Sequence, residues 1–290
     1  MKPKRSKRRT KILSNSIVFF CIGWIAISAF SCSKSGVEKD GPPEPTRLFF
    51  SFGNTVDGSP LVLDTLKYMN SSGDHYKVTD LQYFISDIVL HSQNGENISI
   101  KANDGIHYID ARIPSSLYWF LTDNIPSGSY DSITFTFGIN AVKNVSNRFP
   151  NPPERDMSWP DVLGGGYHYM KLNLDWKKDS MNMTMPFDFH LGIGQIYKGK
   201  STNTDSIIGY VQNFFYINIP ASSFSLGEGE TKLMIISMDV NKWFTGENEF
   251  DFAKHPDMMM QDQDAIHAAC LNGKNAFSIR SSSTLKSKVK

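Results

Sequence analysis

From Leu48 onward, apolar and polar residues alternate with a period of two rather than 3.6. A chain patterned in this way builds strands with one face in a core, and it cannot bury the same residues as helices. Candidate strands run over 47–52, 75–78, 82–90, 98–101, 107–110, 132–137, 167–176, 180–190, 207–219 and 232–240. The segment 132–137 (SITFTF) is β-branched and aromatic throughout. Turn residues separate the strands, among them 71–74 (SSGD), Asn94-Gly95, 126–128 (PSG) and 227–229 (GEG). About ten strands with short turns predict an all-β, single antiparallel β-sandwich-like domain. One short C-terminal helix is predicted over 262–270 (DQDAIHAAC), with Asn272-Gly273 as its stop. Gly164-Gly165-Gly166 lacks the strand–helix context of a phosphate loop and is read as a bend into the next strand.

The composition agrees with a globular chain: 40% hydrophobic, 20% charged, net charge +1 over 290 residues. That balance argues against a nucleic-acid partner. It also hides an asymmetry. Residues 1–31 carry seven basic residues and no acidic one, so the rest of the chain is mildly acidic. The basic run leads into an apolar stretch over 17–30, short of the ~20 residues of a membrane span. It ends in Ala29-Phe30-Ser31-Cys32, which resembles a bacterial lipobox. The implied organisation is a lipoprotein signal peptide over 1–31, a flexible tether over 32–46, one β domain over 47–282 and a disordered tail over 283–290. Lipid on Cys32 would anchor the chain in a bacterial cell envelope, at the periplasmic face or the outer-membrane surface. Of the three cysteines, Cys21 lies in the signal and Cys32 carries the lipid, which leaves Cys270 without a disulfide partner.

No acid/base pair, nucleophile or phosphate-loop motif with recognisable spacing is present, so an enzyme is not expected. The chemistry-bearing residues are histidine and methionine. His168 and Met170 lie two apart in a predicted strand and are expected on one face. His190 closes the segment FDFHLG, approached by alternating Met181, Met183 and Met185. His255 precedes Met258, Met259 and Met260, and His267 lies in the candidate helix. Imidazole suits copper and zinc, whereas thioether selects Cu(I). Alternating methionines more often serve as core packing or surface filler. A lone strand histidine is more often a hydrogen-bonded structural residue than a ligand. Trp159, in the proline-rich segment RDMSWP, either caps the core or lines a site.

Taken together, several segments resemble the MbnP-like family of copper-binding proteins, secreted or lipid-anchored bacterial proteins of copper and methanobactin handling. The segment 78–90 (VTDLQYFISDIVL) is similar to the family's "lxYyIS-xIxL" strand. GSYDSITFTFGIN, over 128–140, is similar to "GxYxxIxFxxGVx". Met157-Ser158-Trp159 followed by GYHYMKL (166–172) resembles "MxWxWxxGYxFxKLEG", and FDFHLG (187–192) resembles "FxxHxG". The resemblance implies a β-sandwich-like domain that holds one copper ion through histidines, with methionine nearby. It also implies, for some members, a tryptophan oxidised to kynurenine by a partner di-haem peroxidase. Carried over by motif, His190 is the first ligand candidate, followed by His168 and His255. Met258, within the 258–260 run, would supply a thioether, and Trp159 is the motif tryptophan. The chain departs from the pattern at 52–58 (FGNTVDG), which lacks a histidine common in relatives, and Trp159 is followed by Pro160 rather than leading to a second tryptophan. The function expected is copper holding, buffering or delivery without turnover. The alternative is a metal-free surface lipoprotein that binds glycan or protein through its aromatic residues.

Overall fold

The alternation becomes strands whose inward residues are buried and whose outward residues meet solvent; in 170–177 the two classes alternate without exception. A computed structural model of the chain describes residues 46–200, 202–219, 222–255 and 259–285. The expected signal peptide, most of the tether and Cys32 lie outside these residues. In chain order the strands begin with β1 (Arg47–Val56), β2 (Ser59–Pro60), β3 (Tyr68–Met69), β4 (His75–Ser92), β5 (Asn97–Ser99) and β6 (Ile106–Asp110). There follow β7 (Tyr118–Phe120), β8 (Gly128–Phe137), β9 (Met170–Lys177), β10 (Met185–Leu191) and β11 (Gly194–Tyr197). The last are β12 (Ile207–Val211), β13 (Phe215–Ile219), β14 (Phe224–Leu226), β15 (Thr231–Asp239) and β16 (Phe277–Leu285).

The larger sheet runs β10-β9-β4-β8-β13, with β3, β5, β6 and β14 attached. The smaller runs β16-β15-β1-β2, with β7 on β1. Pairing is antiparallel except between β1 and β15, which run parallel. β11 and β12 form a separate two-stranded ribbon. Inner faces of the two sheets share one core: Phe277 of β16 packs on Tyr83, Phe135 and Phe137, and the Tyr83 hydroxyl donates to Asn54 Oδ1 at 3.1 Å. The chain is therefore all-β and sandwich-like, as the period predicts. An aromatic group from the segment between β15 and the helix (Trp243, Phe244, Phe250, Phe252) packs against Phe187 and Phe189 of β10.

Three details differ from the sequence reading. Segments 75–78 and 82–90 are one 18-residue strand, β4. Bulges near Asp80 and Asp87 carry it past the polar residues between its apolar runs. The single α-helix among the described residues, α1, spans Gln263–Gly273, capped by Asp262, whose carboxylate accepts from Ala265 N at 2.9 Å. At the C-terminal end, β16 pairs with β15 as far as Leu285, so the tail boundary expected at 282 falls inside a strand. The run SSST has no apolar alternation to announce a strand, but backbone hydrogen bonds along an open sheet edge do not require one.

Candidate metal centre

The site is built where a short hairpin meets the edge of the larger sheet. Residues 157–159 and 166–168 pair back to back: Trp159 N donates to Gly166 O at 2.9 Å, His168 N to Met157 O at 2.7 Å, and Ser158 bridges Tyr167. The turn between them needs Gly164-Gly165-Gly166, all at positive φ. At Gly166 a Cβ would lie 2.6 Å from Asn144 Oδ1, the atom that accepts Tyr167 N. This turn carries Trp159 and His168 to the edge strand β10, which brings His190.

The imidazoles of His168 and His190 lie edge to face, ring centroids 5.0 Å apart, and Trp159 packs on His168 at 4.7 Å. The Trp159 ring covers the backbone of Gly192, where a Cβ would stand 2.5 Å from it, and its Nε1–H donates to Leu163 O at 3.2 Å. Leu163 and Ile193 pack with Trp159, and Met260 joins them from the segment before α1.

Hydrogen bonds set the tautomers. His168 Nδ1–H donates to Met157 O at 3.0 Å, which leaves Nε2 as its lone-pair nitrogen. His190 Nε2–H donates to Asn173 Oδ1 at 2.7 Å, which leaves Nδ1. Burial holds both rings neutral. His168 is pushed down to about 3 by burial, with His190 and Lys171 acting in the same direction. His190 is pushed down to about 4 by burial and by Lys171. A neutral imidazole with an oriented second nitrogen is the form that ligates metal. Ligand nitrogens sit ~2 Å from a metal ion, so two rings sharing one ion place their centroids about 5–6 Å apart, the spacing found here. The donor set fits a soft ion of low coordination number. Among the described residues no three His, Cys, Asp or Glu converge, so a four-ligand structural zinc site is absent from them.

The structure thus unites His190, His168 and Trp159. It does not bring His255 to them. That ring stacks on Phe250 at 4.4 Å, its Nδ1 faces Asp262 at 3.1 Å, and Phe250 packs on Phe187 and Phe189, the core side of β10 opposite His190. Met258 lies outside the described residues, Met259 is core, and Met260 packs against the small cluster of Trp159, Leu163 and Ile193. Met183 and Met185 are exposed, and Met181 Sδ accepts from Lys178 N at 3.3 Å. Met170 turns into the core rather than sharing a face with His168, because β9 begins at Met170 and the histidine lies ahead of it.

Two residues of the site escaped the sequence reading. Lys171 and Asn173 sit on β9 opposite His190 and Asp188. Their alternation is visible in the sequence, but the register that pairs them with His190 is not.

The MbnP family model matches residues 45–261. Among solved structures, MbnP from Methylosinus trichosporium is similar to this chain with a TM-score of 0.43 and 15% identity, over 72% of this chain and 80% of that one. No curated protein matches it.

Proposed function

This chain belongs to the MbnP family, and from that premise we propose that it holds one copper ion at the His168–His190 pair as cargo, without turning over a substrate. The observation that carries the reading is the pair itself: a buried and a half-buried imidazole, both neutral, at 5.0 Å, each with one nitrogen committed to an orienting hydrogen bond and one left over. His168 Nε2 and His190 Nδ1 would hold the ion, and the Met260 thioether, packed against the Trp159 cluster, is a candidate soft donor. Trp159 shields the pair from water and stands where the resemblance places an oxidisable tryptophan; a di-haem peroxidase is the partner class that this position implies. Lipid at Cys32 would keep the holder in the cell envelope, where copper is taken up or exported.

The test is metal content. The full chain, purified in detergent, is loaded with Cu(I) under reducing conditions and separately with Cu(II), dialysed, and assayed for copper by mass spectrometry. About one copper per chain is expected, lost in His190→Ala and in His168→Ala. A native chain that keeps no copper in either state, or variants that keep it undiminished, would sink this reading in favour of the metal-free alternative, a glycan- or protein-binding surface lipoprotein.

A further inference from the structure

A fixed positive charge stands beside the histidine pair. Lys171 is directly opposite His190 in the β9–β10 register, so the two side chains leave the same face with Cβ atoms about 5 Å apart. Its Nζ donates to Asp156 O at 2.6 Å. The next carbonyl along the chain, Met157 O, is the one that orients His168. The side chain is half-buried, and its charge acts on both imidazoles, opposing their protonation. Asp156, itself paired with Arg155 at 3.0 Å, and Asp188, two residues before His190 on β10, both act on Lys171 only at a distance. Among the described residues no carboxylate lies within ion-pair distance of Lys171, and neither imidazole brings a negative charge. Lys171 thus sets a positive charge beside two neutral rings, with carboxylate countercharge only at longer range.

We propose that Lys171 sets the oxidation state of copper that the centre accepts, favouring Cu(I) over Cu(II) by repelling the dication about twice as strongly as the monocation. Coulomb repulsion scales with the charge of the incoming ion. At separations of about 6–8 Å in a half-buried setting, one elementary charge changes an affinity by on the order of tenfold to a hundredfold. The thioether donor acts in the same direction by softness, but it is neutral, so the two contributions separate by mutation. A monocation-selective holder matches a site with two nitrogens and no anionic ligand.

The inference rests on the copper reading above, and the experiment keeps the two apart. Dissociation constants for Cu(I) and Cu(II) are measured by chelator competition on the full chain, for the native protein, Lys171→Leu and Lys171→Arg, together with the reduction potential of the bound copper. In Lys171→Leu, which removes the charge without adding a donor, Cu(II) binding should tighten at least tenfold more than Cu(I) binding, and the potential should fall. Lys171→Arg should keep the native ratio. Lys171→Gln replaces the leucine variant where that chain does not fold. Asp188→Asn, which removes the distant countercharge, should move the ratio the other way. A lysine that only braced residues 154–157 would change both affinities together and leave ratio and potential unmoved; that result overturns the proposal. A native chain that binds neither ion overturns the copper reading, and this inference with it.

Discussion

Two histidines in this molecule each pack on a tryptophan, and they do opposite things. His107 lies between Phe52 and Trp119, its ring nearly coplanar with the indole at 4.9 Å, its Nε2 committed to Ser116 O at 2.8 Å. His168 meets Trp159 edge-on at 4.7 Å and faces a second imidazole. Burial depresses both, His107 to about 4 and His168 to about 3. A depressed imidazole therefore does not mark a site by itself. The difference lies in the ring's neighbours: His107 is sandwiched face to face between two apolar aromatic rings, whereas His168 meets a second imidazole at 5.0 Å. One tryptophan completes a core, and the other covers a pair of histidines.

The sharpest way to break this contrast is to remove the indole that stacks on His107. Trp119→Ala should cost about 3–5 kcal/mol of unfolding free energy in a denaturant titration while copper stoichiometry stays unchanged in the folded fraction. A loss of copper at that position would show that the two regions are not independent.

Next in size is pH. The free imidazole titrates near 6.5, whereas folded His107 takes up its proton only near 4. Between those values the unfolded chain binds more protons, so the copper-free protein should lose stability as pH falls from 6.5 toward 4 and hold it above 6.5. His107→Gln should flatten that slope by on the order of 2 kcal/mol over the window; an unchanged slope would place the proton uptake elsewhere.

Gly192→Ala probes the other tryptophan. The new methyl group meets the Trp159 ring at 2.5 Å, and a cost of about 1–3 kcal/mol with weakened copper retention is expected. Retention at the native level would show that the ring does not need its place against the Gly192 backbone. The smallest effect falls on the orienting bond. Asn173→Ala frees His190 Nε2 and should weaken copper binding about tenfold with little change in stability, read by chelator competition. Equal loss of stability and affinity would mean that Asn173 serves the sheet, not the imidazole.

Much of the fold was legible because each strand declares its own face. Lys171, Asn173 and Asp175 alternate with Leu172, Leu174 and Trp176, and the latter set is buried. The sequence named His190, His168 and Trp159 as candidates, but not their meeting. That depends on the hairpin through Gly164–Gly166 and on the β9–β10 register, both set by contacts between distant residues. His255 was misleading for the same reason: proximity to methionines in sequence said nothing of the side of β10 on which it would stack. Of the methionines just before α1, Met259 joins the main core and Met260 packs against the cluster of Trp159, Leu163 and Ile193, a division that the run of three identical residues does not announce.

The parallel partnership of β1 with β15 has a consequence in time. Thr55 and Met238 are hydrogen-bonded across 183 residues of chain. The first strand of the domain therefore stays without its neighbour until the chain through Asp239 has been made and delivered. Closure of the smaller sheet is a late, slow event of high contact order, and an exposed β1 edge is the form a folding helper would have to shelter meanwhile.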